Sequence, residues 1–131
     1  MKHLFSILFI LPILLLPVPA WVNAGAFEDG LAASRAGERK KAFEAFKSAA
    51  DEGDERAYGR LATLYLFGAG TRRDPLSAYV WFGMAIDSGD KEARRYQDAA
   101  QSSMTTRQQE EAIRLLEMKR TQTGRPKKIA P

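Results

Sequence analysis

The stretch AYGRLATLYLFGAGTRRDPLSAYVWFGMAIDSGDKEA, residues Ala57–Ala93, decides the fold. Two helix-like runs, Ala57–Phe67 and Pro75–Ser88, are separated by a short turn that holds Gly68 and Gly70. In the first run Leu61, Leu64 and Tyr65 fall at the spacing of one helix face. In the second, Ala78, Trp81, Phe82, Ala85 and Ile86 do the same. Asp74-Pro75 is a strong helix start. The carboxylate can accept from free backbone amides, and proline needs no donor at the first helical position. Gly89 supplies a left-handed residue that ends a helix, and Asp90 can cap the next one. The stretch therefore predicts a helical hairpin punctuated at both ends.

The hairpin has an echo upstream. KAFEAFKSAADEGDERA, Lys41–Ala57, aligns without a gap on SAYVWFGMAIDSGDKEA, Ser77–Ala93, at a shift of 36 residues. Ala42 falls on Ala78, Phe46 on Phe82, Ala49 on Ala85, Gly53 on Gly89 and Asp54 on Asp90. A period of this length, with small residues at fixed helical positions, is the mark of stacked helix pairs. Small residues let helices approach, and Phe46, Trp81 and Phe82 fill the space between them.

The pattern LxxLYxxGxGxxxDxxxAxxWxxxA, carried by Leu61, Leu64, Tyr65, Gly68, Gly70, Asp74, Ala78, Trp81 and Ala85 and followed by Gly89, resembles a Sel1-like repeat, a relative of the tetratricopeptide repeat. The resemblance covers nearly one whole repeat. The preceding unit matches only in its second half, and its turn is shorter, with Gly37 five residues before Ala42 where Gly70 stands eight before Ala78. The resemblance implies an all-α solenoid that binds proteins and does not imply catalysis, and no cofactor is expected.

Around this centre the chain reads as further helices. Phe27–Ala36 places Phe27, Leu31 and Ala32 at helical spacing. Gly30 inside it weakens a helix by about 1 kcal/mol relative to Ala, and marks a point of close packing. Glu38–Glu52 forms its partner, with Ala42, Phe43, Phe46, Ala49 and Ala50 inward and a weak Lys40–Glu44 pair outside. Lys91–Ser102 predicts a fifth helix with Ala93, Tyr96, Ala99 and Ala100 on its packing face. Thr106 with Gln109 has the spacing of a capping box. Arg107–Lys119 then predicts a terminal cap helix with Ala112, Ile113 and Leu116 inward, joined by Leu115 or Met118. The sum is an all-α fold, a short α-solenoid of about three helical hairpins over residues 25–119, followed by a basic disordered tail over residues 120–131.

Residues 1–24 are of another composition. Lys2 and His3 precede the apolar run Leu4–Leu16, which is too short for the roughly 20 residues a bilayer span requires. Val22-Asn23-Ala24 then offers small residues at a cleavage position, with a second site after Ala26. This reads as a secretory signal peptide, removed on export, and the expected location is periplasmic or secreted. The chain has no cysteine and its single histidine is His3. The exported part therefore has no Ser-His-Asp, Cys-His or His/Cys metal chemistry available. Its carboxylates gather at helix ends, where capping and dipole compensation explain them. The formal charge of +4 comes from Lys119, Arg120, Arg125, Lys127 and Lys128 and not from a basic face, so no nucleic-acid partner is expected.

The functional expectation is a non-enzymatic protein–protein interaction module or adaptor of the cell envelope, with a protein or peptide partner. Stacked hairpins make a concave face lined by the first helix of each pair. Asp29, Tyr58 and Ala62 are its candidate binding positions, with Ala33 and Thr63 beside them. Core packing is the other reading of Tyr58. Arg72 and Arg73, in the turn, are candidates for meeting an acidic partner. Two alternatives stand beside this: weak adhesion to an anionic envelope surface through the basic tail, and a carboxylate-based enzyme acting on glycans. No oligomeric state follows from the sequence.

Overall fold

The computed structural model describes residues 25–125, and the signal-peptide reading of Met1–Ala24 lies outside them. Six helices follow one another with no strand among the described residues: α1 Ala26–Arg35, α2 Arg39–Asp51, α3 Arg56–Phe67, α4 Pro75–Asp87, α5 Ala93–Ser102 and α6 Thr106–Gln122. Adjacent helices pack as a short all-α solenoid. α1 lies on α2, α2 on α3 and α3 on α4. The third pair departs in one respect. α5 and α6 each lean on α4 and meet one another little.

The 36-residue echo reappears in the backbone. At the end of α2, the Asp54 amide donates to the Ala49 carbonyl (2.9 Å) and Gly53 to Ala50 (3.0 Å). At the end of α4, Asp90 donates to Ala85 (3.0 Å) and Gly89 to Ile86 (3.0 Å). Both are Schellman closures. Each aspartate then starts the next helix, Asp54 accepting from the Arg56 amide (3.1 Å) and Asp90 from the amides of Glu92 (3.1 Å) and Ala93 (3.3 Å). Asp74 caps α4 as its sequence position predicts, accepting from the Ser77 amide (3.0 Å) and hydroxyl (2.6 Å).

Glycines set how closely the layers approach. A Cβ on Gly30 would stand 2.7 Å from the Phe46 ring, so α1 rests directly on that phenyl as expected. A Cβ on Gly83 would stand 2.5 Å from the Leu116 side chain and 3.0 Å from Gln97 Nε2. That gap in α4 is where α5 and α6 both seat. Gly70 has φ +74°, and a side chain there would run into the Arg39 carbonyl. The α3–α4 turn therefore lies on the first residue of α2, and only glycine fits both demands.

Burial follows position in the stack. α2 buries one stripe, Ala42, Phe46, Ala49 and Ala50. α4 buries Ala78 and every residue from Val80 to Ala85, because it has neighbours on several sides. Gln97 of α5 is the one buried polar side chain among the described residues, and it donates to the Tyr79 carbonyl (3.2 Å).

Three expectations at the C-terminal end need correction. The capping box is built by Thr105 and Gln108, one residue earlier than expected: Gln108 N–H donates to Thr105 Oγ1 (3.3 Å) and Thr105 N–H to Gln108 Oε1 (2.9 Å). Gln109 instead donates to the Gln101 and Met104 carbonyls (3.0 and 3.1 Å), closing the end of α5. Ile113 is exposed at 46%, because α6 turns the Ala112–Leu116 line toward α4, and of the pair Leu115 or Met118 it is Leu115 that packs on the core. Finally, the described part of the tail expected from Arg120 onward is not loose. α6 runs to Gln122, and residues 119–125 bind back onto the stack. Lys119 Nζ sits 4.1 Å from the Trp81 ring centre. Arg120 forks onto Asp87 (2.7 and 2.9 Å) and also reaches Glu117 (2.7 Å). Arg125 pairs with Glu55, donates to Ser88 Oγ (2.9 Å) and lies over the Tyr58 ring. Carboxylates at the start of α3 and the end of α4 draw in Arg125 and Arg120, and an aromatic face holds Lys119. Residues 126–131, with Lys127 and Lys128, are outside the described part.

Candidate functional site

A groove with a volume of about 570 Å³ runs between α3 and α5 over a floor from α4. α3 contributes Arg56, Gly59, Arg60 and Thr63, a stripe at the i, i+3, i+4, i+7 spacing of one helix face. α5 contributes Ala93 and Tyr96, Glu92 stands at its N-cap, and Phe82 and Ala85 form the floor. Gly59 holds the two walls close: a Cβ there would lie 3.1 Å from Asp90 Oδ2. Thr63 Oγ1 donates to the Gly59 carbonyl (2.8 Å), which fixes its hydroxyl against its own helix. Tyr96 stacks on Phe82 with ring centres 5.7 Å apart and planes at 17°.

Charge at the lower rim is organised by Arg56. Its guanidinium lies 4.3 Å from the Phe27 ring centre, bonds Glu28 (2.8 Å) and forks onto Asp54 (3.0 and 2.7 Å). The Asp54 carboxyl is held below the usual carboxylate range, chiefly by that side-chain bond from Arg56. The Glu28 carboxyl is lowered first by a backbone hydrogen bond at its own residue and next by Arg56. Arg56 is held more firmly protonated by the same two acids, Asp54 first. Arg60, by contrast, makes no ion pair or hydrogen bond among the described residues, and its side chain is open to solvent.

The sequence candidates fall into four places. Tyr58 and Ala62 are in the core, 2% and 0% exposed, and so do not face a partner. The helix register explains the correction. Tyr58, Leu61 and Ala62 point inward together, and Tyr58 packs on Trp81 with ring centres 5.4 Å apart. Thr63, one step further round, does line the groove. Asp29 is exposed on α1 but is not among the groove-lining residues. Arg72 and Arg73 are exposed in the α3–α4 turn, away from the groove, and Arg73 Nε donates to the Leu66 carbonyl (3.1 Å), closing α3. Arg56, Gly59 and Arg60 are groove residues to which the sequence reading gives no role, and it gives Tyr96 only a packing role. The polar stripe Arg56–Arg60–Thr63 was the available signal. Among the described residues no group of three or more His, Cys, Asp and Glu is placed to hold a metal ion.

The repeat-defining positions divide between core and turn. Leu61, Ala78, Trp81 and Ala85 are buried, Leu64 and Tyr65 pack against them, and Gly68, Gly70 and Gly89 carry positive φ. Burial raises the Tyr65 phenol above its ordinary pKa. No family model, curated protein or solved structure matches the chain.

Proposed function

We propose that this protein is a non-enzymatic interaction module of the Sel1-like kind, an envelope adaptor that receives a protein or peptide partner in the α3–α5 groove. The observation that carries the reading is that groove: an open channel whose walls come from the first helices of successive pairs. Curved arrays of helix pairs use this face for extended segments or helices. Arg60 lines it as an exposed residue, and Thr63 and Tyr96 line it half-buried, which supports reading it as a binding surface. The envelope location rests on the composition of Met1–Ala24. No helix among the described residues is long and apolar enough to cross a membrane.

Tail adhesion is the weaker reading, because Lys119, Arg120 and Arg125 are engaged on the stack. The test is a plugged groove. Thr63→Trp would fill the channel from a half-buried, groove-lining position of α3. Gentle crosslinking in envelope extract should capture a partner with the wild-type chain and lose it with Thr63→Trp, while far-ultraviolet circular dichroism stays the same. Equal capture by a folded Thr63→Trp chain would refute the groove as the binding surface.

A further inference from the structure

The end of the stack that carries the α1–α2 and α3–α4 turns has a composition of its own. Arg35 closes α1, Arg39, Lys40 and Lys41 open α2, and Arg72 and Arg73 lie in the α3–α4 turn. All six are exposed. They belong to one patch because the turn at Gly70 sits on the Arg39 carbonyl and the Lys40 amide. Acidic groups within it are few. Glu38 pairs with Lys41, and Asp74 is occupied by Ser77 at the start of α4. Arg35, Arg39, Lys40 and Arg72 have no ion pair or hydrogen bond from their side chains among the described residues, and Arg73 bonds only a carbonyl. At the edge of these cations stands Phe67, the last residue of α3. At 67% it is the most exposed large hydrophobic side chain in the described part.

We propose that this turn end is a docking surface for an anionic lipid bilayer, with the cations on the headgroups and the Phe67 ring at the level of the acyl boundary. An exposed aromatic ring at the edge of a group of cations suits a surface into which it can insert. Each Lys or Arg near an anionic membrane strengthens binding by about fivefold, and an aromatic ring adds apolar burial at the interface. The patch is separate from the α3–α5 groove, so lipid contact here leaves the groove open to a partner.

The chain has no cysteine, which permits a local test on the full protein. Phe67→Cys would be labelled with an environment-sensitive fluorophore and titrated with vesicles of phosphatidylglycerol and phosphatidylcholine, or of phosphatidylcholine alone. Glu52→Cys, exposed in the turn after α2, serves as the distant label. The expected result is a blue shift at position 67 on the anionic vesicles alone, none at position 52, and reversal by high salt. Adding Arg39→Glu, Arg72→Glu and Arg73→Glu should weaken that response by at least about 100-fold, since loss of three cations at about fivefold each gives that much before repulsion by the new carboxylates. Equal shifts on neutral vesicles, as the apolar Met1–Ala24 would produce by itself, overturn the proposal. So does a shift at position 52, an unchanged response in the charge-reversed chain, or a shift with soluble polyglutamate but not with vesicles. Unlabelled Phe67→Ser provides a second check. Its sedimentation with anionic vesicles should fall severalfold while its helix content holds, and undiminished sedimentation counts against insertion of the ring.

Discussion

Where α2 hands over to α3 and α4 to α5, acidic side chains are drawn into the fold. Asp54 holds Arg56, Glu55 holds Arg125 and Asp87 holds Arg120. At the opposite end, where α1 turns into α2 and α3 into α4, Arg35, Arg39, Lys40 and Arg72 face solvent without carboxylate partners among the described residues. Both ends use similar short turns closed by left-handed glycines. The difference teaches that charge content and charge use are separate properties. One end's ionic groups clamp the helices, and the other end's remain available to something outside.

The sharpest way to break this comparison is at the clamp. The Asp87 and Arg120 side chains are only 8% and 12% exposed. Asp87→Ala would leave a guanidinium buried beside Glu117 alone, and stability should fall by about 3 kcal/mol. A urea melt followed by circular dichroism measures this, and a loss below about 1 kcal/mol would mean the pair is incidental. Asp74→Ala removes the cap of α4 at the basic end. It should cost about 1 kcal/mol, because there the backbone and not an ion pair is being served. Arg125→Ala, which gives up a partly exposed pair with Glu55 and a bond to Ser88, should cost about 0.5–1 kcal/mol. Arg72→Ala should stay within about 0.5 kcal/mol of wild type. Finding the Arg72 loss as large as the Asp87 loss would erase the distinction between the ends.

The same contrast has a pH signature. The Asp54 and Glu28 carboxyls are lowered in the folded state, Asp54 through Arg56 and Glu28 through a backbone hydrogen bond and then Arg56. A depressed folded value means the unfolded chain binds protons first. The contribution is therefore whole above the unfolded carboxylate range near about pH 4 and is lost as pH falls through the folded values. Urea midpoints measured on descending pH should drop in that window. Arg56→Ala should flatten the drop, whereas Arg72→Ala should leave it unchanged.

Much of this architecture is legible in the residues. Asp74-Pro75 and the glycines at 53, 68 and 89 mark helix ends because capping and left-handed closure are local chemistry. The 36-residue offset survives as matched hydrogen bonds for the same reason. The groove is less legible. Tyr58 and Thr63 are both plausible outward positions on α3 until the neighbouring helices fix its rotation, and the tyrosine then turns in against Trp81. The clamp is least legible of all. Asp87 and Arg120 are 33 residues apart, and Glu55 and Arg125 are 70 apart. No periodicity links such distant partners, so a run of cations near the C-terminus reads as a loose tail when much of it is stitched to the stack.

The gap in α4 at Gly83 carries a consequence for synthesis. The helix made midway through translation has its niche filled by Leu116, which leaves the ribosome far later. Until then the growing polypeptide holds an uncovered greasy flank, and a stalled or clipped product lacking α6 would keep it. Losses at the carboxyl end should therefore promote clumping and degradation.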